Sequence, residues 1–418
     1  MLLKSTLPKI DMQKRRVVIT GLGSISSIGK NVNETWESVV NCVTGIAPMT
    51  VRLPGELRFK NAAEVKDYDP STYFSSKELA ALDKFAQVGL IAAKEATKDA
   101  NIEWTDHLKQ NTCVITGCSI GGQDTQDKGF QDLYIQKQTS VDLLTIPRTM
   151  PNATASQISM SFGITAMAYN ISTACSSSNH AIGNAYWMLR NGICDLAITG
   201  GSEAPLSYGF LKAWEVLRVV APDTCRPFSK GRQGMILGEG SGMLILEPLE
   251  NALKRNAKIY AEIVGFGNSS DASHITKPAQ HGPELAMELA LKDAGISAVE
   301  IDYINAHGTG TFANDPMEIN AIKKVFGEHA KRLAVSSTKS LHGHILGGTG
   351  AVEAVITVLG LQNQVVPPTG NFIEADPECD LDVVPNASRE GKMNYAMSNS
   401  FAFGGLNAVL VFKKWDGE

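Results

Sequence analysis

The sequence predicts an α/β fold made of two similar βα halves, and three features carry that prediction. Short apolar segments ending in glycine-rich turns alternate with longer stretches of helical spacing, the signature of βα units around a buried sheet. The halves echo each other: VVITGLGSISS near the start has a weak counterpart in AEIVGFGNSSD near residue 261, and STACSSSNHAIGNA is matched in character by SSTKSLHGHILGGTGAVEA. At 418 residues the chain also exceeds the roughly 250–300 at which a single core stops growing.

In chain order, RRVVITGLGS opens the first half as a β-branched run closed by glycines. The long stretch SSKELAALDKFAQVGLIAAKEATKDA has helical spacing and reads as one helical pattern. NTCVITGCSIGG, AYNISTA and DLAITGGSEA are the next strands, and AIGNAYWMLRNG between the last two is helical. The second half repeats the alternation with KIYAEIVGFGNSS, the helix GPELAMELALKDAG, the strand IDYINAHGTGT and the terminal AMSNSFAFGGLNAVLVF. The expected organisation is a leading tail over residues 1–14, a first half over 15–257 and a second half over 258–418.

Composition narrows the function classes. Lys+Arg 38 against Asp+Glu 43 gives a net charge of -5, against the basic footprint of a nucleic-acid binder. No apolar run approaches the roughly 18–20 residues that span a bilayer, and MLLKSTLPKIDMQKRR lacks a sustained apolar region. A soluble, cytoplasmic protein is the expectation. The seven cysteines are odd in number, scattered and free of CxxC pairs, which speaks against a disulfide framework or a zinc site. Most of them, Cys113 and Cys194 in particular, read as small buried hydrophobes.

Cys175 stands apart, in STACSSSNH at the junction of a strand and a helix start. Unpaired N–H groups and the positive end of the helix dipole would stabilise a thiolate there and lower the thiol pKa. Ala174 and Ser176 to Ser178 would keep the junction open to a substrate. A buried structural cysteine is the alternative. A nucleophilic thiol needs partners for charge and proton handling. Of eight histidines, His307 in NAHGTGT and His344 in KSLHGHILGG fall at strand ends in glycine-rich turns. His107, His281 and His329 read as solvated surface residues and His180 as a hydrogen-bonded packing residue. The HxH pair of His342 and His344 lacks a nearby third ligand type, so no metal is expected.

TACSSS, NAHGTGT, SSTKSLHGH and NSFAFGGLNA, in that order, resemble the four signature blocks of the β-ketoacyl-acyl-carrier-protein synthases, most nearly the elongating type II group within the thiolase-like superfamily. The flanking DTCRPFSKGRQGMILGEGSGMLILEPLENALKRNAKIYAE and GNSSDASHITKP are similar to that group as well. The resemblance implies a thiolase-like fold with its halves packed in α-β-α-β-α layers. It also implies decarboxylative Claisen condensation of an acyl thioester held on Cys175 with malonyl-acyl carrier protein, without metal or organic cofactor. By the same resemblance, backbone N–H groups of Cys175 and Phe403 form the oxyanion hole. Thr309 and Thr311 contact the pantetheine arm, His307 and His344 stabilise the enolate, and Ile120, Phe401 and Phe403 line the acyl route. Lys339 matches the family's signature lysine with Glu353 as counter-ion, though an ion pair with only an architectural duty would look the same in sequence. Asp315 and Glu318 match supporting positions, or are ordinary helix N-terminal carboxylates.

Departures from the family pattern bear on the pathway. Ala402 stands where a glycine usually separates the two phenylalanines of the gating loop, and an alanine there loses access to positive φ. His342 stands where threonine is usual. Ala80, Ala81, Thr139 and Ser140 replace basic residues that commonly grip the acidic carrier protein, leaving Arg226 as the docking cation. The resemblance implies a homodimer in fatty-acid elongation; the alternative is a ketosynthase of a specialised polyene or polyketide pathway paired with a chain-length-factor subunit. Silent partner subunits lack the nucleophilic cysteine, which this chain has, and a degradative thiolase would need a second cysteine that SNSFAFGGLNA does not offer.

Overall fold

The computed structural model describes residues 14–50 and 55–417, so the expected tail lies almost wholly outside the described residues. Ten strands form the main sheet: β1 (Val17–Ser26), β2 (Thr112–Gly117), β3 (Ala168–Ile171), β4 (Leu196–Glu203), β5 (Gly240–Pro248), β6 (Ala261–Ser270), β7 (Tyr303–Asn305), β8 (Ala334–Ser336), β9 (Tyr395–Ala402) and β10 (Leu406–Lys414). Six helices matter for the site: α1 (Lys84–Asp99), α2 (Ser177–Arg190), α3 (Tyr208–Leu217), α4 (His281–Ala294), α5 (Asn314–Phe326) and α6 (Thr349–Asn363).

The strand order β8-β7-β9-β10-β6-β1-β5-β4-β2-β3 contains one pattern twice. In the first five strands β1 pairs antiparallel with β5, β5 antiparallel with β4, β4 parallel with β2, and β2 parallel with β3. In the second five, β6 pairs antiparallel with β10, β10 antiparallel with β9, β9 parallel with β7, and β7 parallel with β8. The weak sequence echo is therefore a duplicated topology. The two five-stranded units meet where Val17–Ile19 pairs antiparallel with Ala261–Ile263.

Helices α2 and α6 lie between the two units, and each packs against strands of both. Helix α6 shows why: every residue from Thr349 to Leu361 is buried, and a helix apolar all round its axis can only be an interior one. Helix α1 covers the outer face of the first unit, and α4 and α5 that of the second, completing α-β-α-β-α layers. Cys113 and Cys194 sit in the core, as expected.

Two local readings change. The one helical pattern of SSKELAALDKFAQVGLIAAKEATKDA is broken: Ser75 and Glu78 form a capping box on the short helix Ser76–Leu79, and α1 starts afresh after Asp83, which accepts the N–H of Phe85. The central strand β5, GSGMLILEP, is absent from the sequence-derived strands although it is wholly buried; its continuous apolar run lacks the alternation that marks a half-exposed strand.

Candidate active site

Cys175 lies between β3 and α2, just after Ala174, whose φ of 49° is left-handed. The three serines that follow do not keep this junction open; all are fully buried. The Ser176 hydroxyl donates to the carbonyls of Ser400 and Leu406, at 2.8 and 2.7 Å, and the Ser178 hydroxyl donates to that of Gly347. The Ser177 hydroxyl donates to the Ala174 carbonyl at 2.7 Å and accepts the Thr173 N–H at 2.9 Å. Small hydroxyl residues are needed because the backbones crowd: a Cβ on Gly117 would fall 2.4 Å from the Ser177 carbonyl carbon. The serines thus bolt the start of α2 to the second half and fix where the sulfur stands.

Cys175 is 7% exposed at the end of a cavity of about 230 Å³, whose lining includes His307, His344, Thr309, Thr311, Phe401 and Phe403. The expected lowering of its pKa does not hold. Burial pushes the thiol up to about 11, against smaller downward pulls from the Lys339 charge and from the backbone N–H groups of Phe403 and of Cys175 itself. Desolvation of a thiolate outweighs a helix end when no full cation touches the sulfur. The N–H groups of Phe403 and Cys175 are the two expected as an oxyanion hole.

The imidazoles of His307 and His344 stand edge to face, with centroids 5.5 Å apart. Burial first, then the Lys339 charge, holds both well below the usual imidazole range, so both are neutral. The Leu346 N–H donates to Nδ1 of His344 at 3.2 Å, which places the ring proton on Nε2. The Thr349 hydroxyl lies 2.8 Å from the same Nδ1. Glu318, on α5, accepts the N–H groups of His307 and Gly308 at 2.8 and 2.7 Å. Asp315 accepts those of Gly310 and Phe228 at 3.1 and 2.8 Å. Both carboxylates are buried and hold the HGTGT turn, which is more than an exposed helix N-terminal carboxylate does.

Lys339 and Glu353 are both fully buried and pair at 2.6 Å. His342 has both ring nitrogens engaged, Nε2 with the Thr338 hydroxyl at 3.0 Å and Nδ1 with the Gly343 carbonyl at 2.8 Å. His180 packs as expected, edge-on to Phe266 with Nδ1 near the Thr173 hydroxyl. His107 and His281 are exposed, but His329 is half-buried, its Nε2 2.7 Å from the Ile301 carbonyl.

Two expectations about the periphery are corrected. Arg226 is not a free docking cation: it is bidentate on Asp223 at 2.9 and 2.7 Å and its side chain is 18% exposed. Exposed Arg218 and Lys277 line the cavity mouth instead, in segments whose sequence carries no docking signal. Ala402 is not the strained hinge. It ends β9, paired with Leu406, while the left-handed conformations of the turn fall on Gly404 and Gly405, at φ 82° and 71°. Ile120 lies outside the lining of the cavity around Cys175, in a hydrophobic cluster with Phe403, Leu206, Leu211 and Leu346. Sequence reasoning also missed Glu203, a buried carboxylate that accepts the N–H groups of Ser119, Ile120 and Gly347 at 2.7, 3.3 and 3.1 Å. It ties the Ile120 turn to the turn after His344.

A thiol beside two N–H donors can carry an acyl group, and two neutral imidazoles across the same cavity can stabilise a carbon nucleophile that attacks it. That is the chemistry of a condensing acyltransferase. Residues 14–252 match the β-ketoacyl synthase N-terminal domain and residues 260–373 its C-terminal domain. The chain belongs to the β-ketoacyl synthase family. It is 45% identical over 400 residues to nodulation protein E of Rhizobium meliloti (strain 1021), covering 96% of this chain and 99% of that protein. It is 41% identical over 411 residues to 3-oxoacyl-[acyl-carrier-protein] synthase 2 of Staphylococcus aureus (strain N315), covering 97% and 99%. The structure of the ishigamide ketosynthase/chain length factor superposes with a TM-score of 0.92 at 34% identity, covering 96% of this chain and all of that one. Among the described residues no helix is long and apolar enough to cross a membrane.

Proposed function

We propose that the chain elongates acyl groups carried on acyl carrier protein, with Cys175 as the acylated nucleophile. The convergence of Cys175 from one half, over residues 15–257, with His307, His344 and the Phe403 N–H from the other, over 258–418, carries this reading. In the first step the Cys175 sulfur attacks the acyl thioester, the tetrahedral oxyanion accepts the N–H groups of Cys175 and Phe403, and the carrier thiol leaves with the proton that Cys175 gives up. In the second, malonyl carrier protein reaches down the cavity past Thr309 and Thr311. Its carboxylate carbon–carbon bond breaks, carbon dioxide leaves, and the electron pair is held as an enolate whose oxygen accepts from His307 and from Nε2 of His344. The enolate carbon then attacks the acyl carbonyl, the carbon–sulfur bond breaks, and Cys175 leaves as a thiolate that takes up a proton from solvent. Lys339 acts on the imidazoles through its charge; Glu353, Asp315 and Glu318 position.

The carrier protein docks at the mouth beside Arg218 and Lys277, whose exposed positive charge suits an acidic partner. A second subunit pairs with the edge strand β3, where Ala168 is exposed; the segment before it also leaves the apolar side chains Tyr134, Ile135, Leu143 and Ile146 open. A homodimer in fatty-acid elongation in the cytoplasm is the main reading. The likeness to nodulation protein E and to a ketosynthase/chain length factor structure supports the second, a specialised pathway with a heterodimeric partner.

Incubation with acyl carrier protein followed by peptide mass mapping should place the acyl group on Cys175. The variants His307→Ala and His344→Ala should still take up that group but lose about 100- to 1,000-fold in release of carbon dioxide from malonyl carrier protein. Acylation at an unchanged rate in Cys175→Ser, or unchanged decarboxylation in both histidine variants, would overturn the roles.

A further inference from the structure

Beyond the thiol and the imidazoles, the cavity has a wall residue to which the condensing mechanism gives no duty. Trp214, on α3, is 8% exposed and lies against the ring of Phe403, with centroids 5.9 Å apart and planes at 21°. Phe210, one turn earlier, meets the indole edge-on at 6.0 Å and 80°. The indole N–H is buried without a hydrogen-bond partner, so Trp214 is held there by ring packing and not by its polar edge.

At its tip, the backbone of the Phe403 loop is held by the second half. The Gly404 N–H donates to the Ile275 carbonyl at 2.7 Å, and the Gly405 carbonyl accepts the Asp271 N–H at 2.8 Å; all of these residues belong to the second half. The ring of Phe403 instead reaches the first half through Trp214, in the cluster that holds Ile120, Leu206, Leu211 and Leu346. The lining of the cavity around Cys175 includes Trp214 and Phe403 but none of those four aliphatic residues. The two rings are thus shared between the cavity and that aliphatic cluster.

We propose that Trp214 is a positioning residue, a latch that holds the Phe403 ring across the way into the acyl compartment and so sets how fast long acyl chains are admitted to Cys175. The inference rests on the condensing reading above. An aromatic pair of this kind contributes enough to change the open population about threefold to tenfold. Loss of the stack releases the ring but leaves the thiol and its two N–H donors in place.

The test is single-turnover loading of the full-length protein from octanoyl carrier protein and from acetyl carrier protein, with alkylation of Cys175 by iodoacetamide as a reagent that needs no open gate. Trp214→Leu should load octanoyl about threefold to tenfold faster, with acetyl loading and alkylation unchanged. Trp214→Phe keeps a ring in the stack and should stay near the rate of the unsubstituted protein. Octanoyl loading that is unchanged or slower in Trp214→Leu, or acetyl loading accelerated by the same factor, overturns the latch. Should Trp214→Leu fail to fold, the unsubstituted protein labelled with 5-fluorotryptophan decides the question. The Trp214 fluorine resonance, assigned through Trp214→Phe, should move on octanoylation and hold still on acetylation; a resonance that holds still in both overturns the latch. If no carrier thioester acylates the unsubstituted protein, the condensing reading itself fails and takes the latch with it.

Discussion

Replacing Lys339 by methionine separates the two duties that a buried lysine can have. Methionine is close to lysine in length and leaves Glu353 fully buried, its partner at 2.6 Å gone and its Oε2 already without a hydrogen bond. Breaking a buried pair from one side costs about 3–5 kcal/mol, because the remaining charge is uncompensated. The carboxyl has an escape: burial pushes it up and only Lys339 pulls it back, so in the variant it takes a proton. For a carboxyl that titrates near 4.5 in the unfolded chain, holding that proton at pH 7 costs about 3.4 kcal/mol (2.5 units at about 1.36 each). The loss should therefore sit near 3 kcal/mol at neutral pH. Its pH dependence has a definite sign. The folded variant binds a proton that the unfolded chain takes up only near 4.5, so the variant gains about 1.4 kcal/mol of stability per unit as pH falls from 7 towards 4.5. Urea denaturation at several pH values measures this directly. The double variant Lys339→Met, Glu353→Gln removes the stranded charge and should regain most of the stability. Decarboxylation of malonyl carrier protein should stay below the rate of the unsubstituted protein, because the charge acting on His307 and His344 is still missing. A double variant that recovers stability and decarboxylation together would show that Lys339 is architectural only.

The elevated thiol pKa predicts that alkylation of Cys175 by iodoacetamide climbs about tenfold per unit between roughly pH 7 and 10 without levelling, since the thiolate fraction keeps growing up to about 11; a plateau at or below about pH 8 would contradict it. Decarboxylation, in contrast, should show no acid limb near 6.5, because burial and Lys339 keep both imidazoles neutral well below that value. Ile120→Phe should reject long acyl donors and spare short ones, because Ile120 shares a hydrophobic cluster with Phe403 outside the lining around Cys175; loading rates over a series of acyl lengths would refute this if the loss were uniform.

Most of the strands and helices, the duplication, and the candidacy of Cys175, His307 and His344 were legible in the chain, because they rest on local signals; Lys339 entered through the family resemblance alone. A β-branched run ending in glycine, a thiol at a strand-to-helix junction and histidines in glycine-rich turns each lie within a few neighbouring residues. Tertiary structure alone decided whatever depends on burial or on distant partners. The helix end beside Cys175 argues for a lowered thiol pKa, but the cost of desolvating the sulfur depends on everything packed around it, and it wins. The serines after Cys175 look like open space until Ser176 is seen to reach the Ser400 carbonyl, 224 positions along the chain. Arg226 looks like a free cation until Asp223 closes on it, and Asp315 and Glu318 look like surface carboxylates until they are found buried on the HGTGT turn. Trp214 gave no signal, because a tryptophan on a helix is ordinary until the fold sets the gate ring against it. Sequence determines which groups can react and which segments can pair; only the packed fold fixes their solvation and their neighbours, and with those the energies.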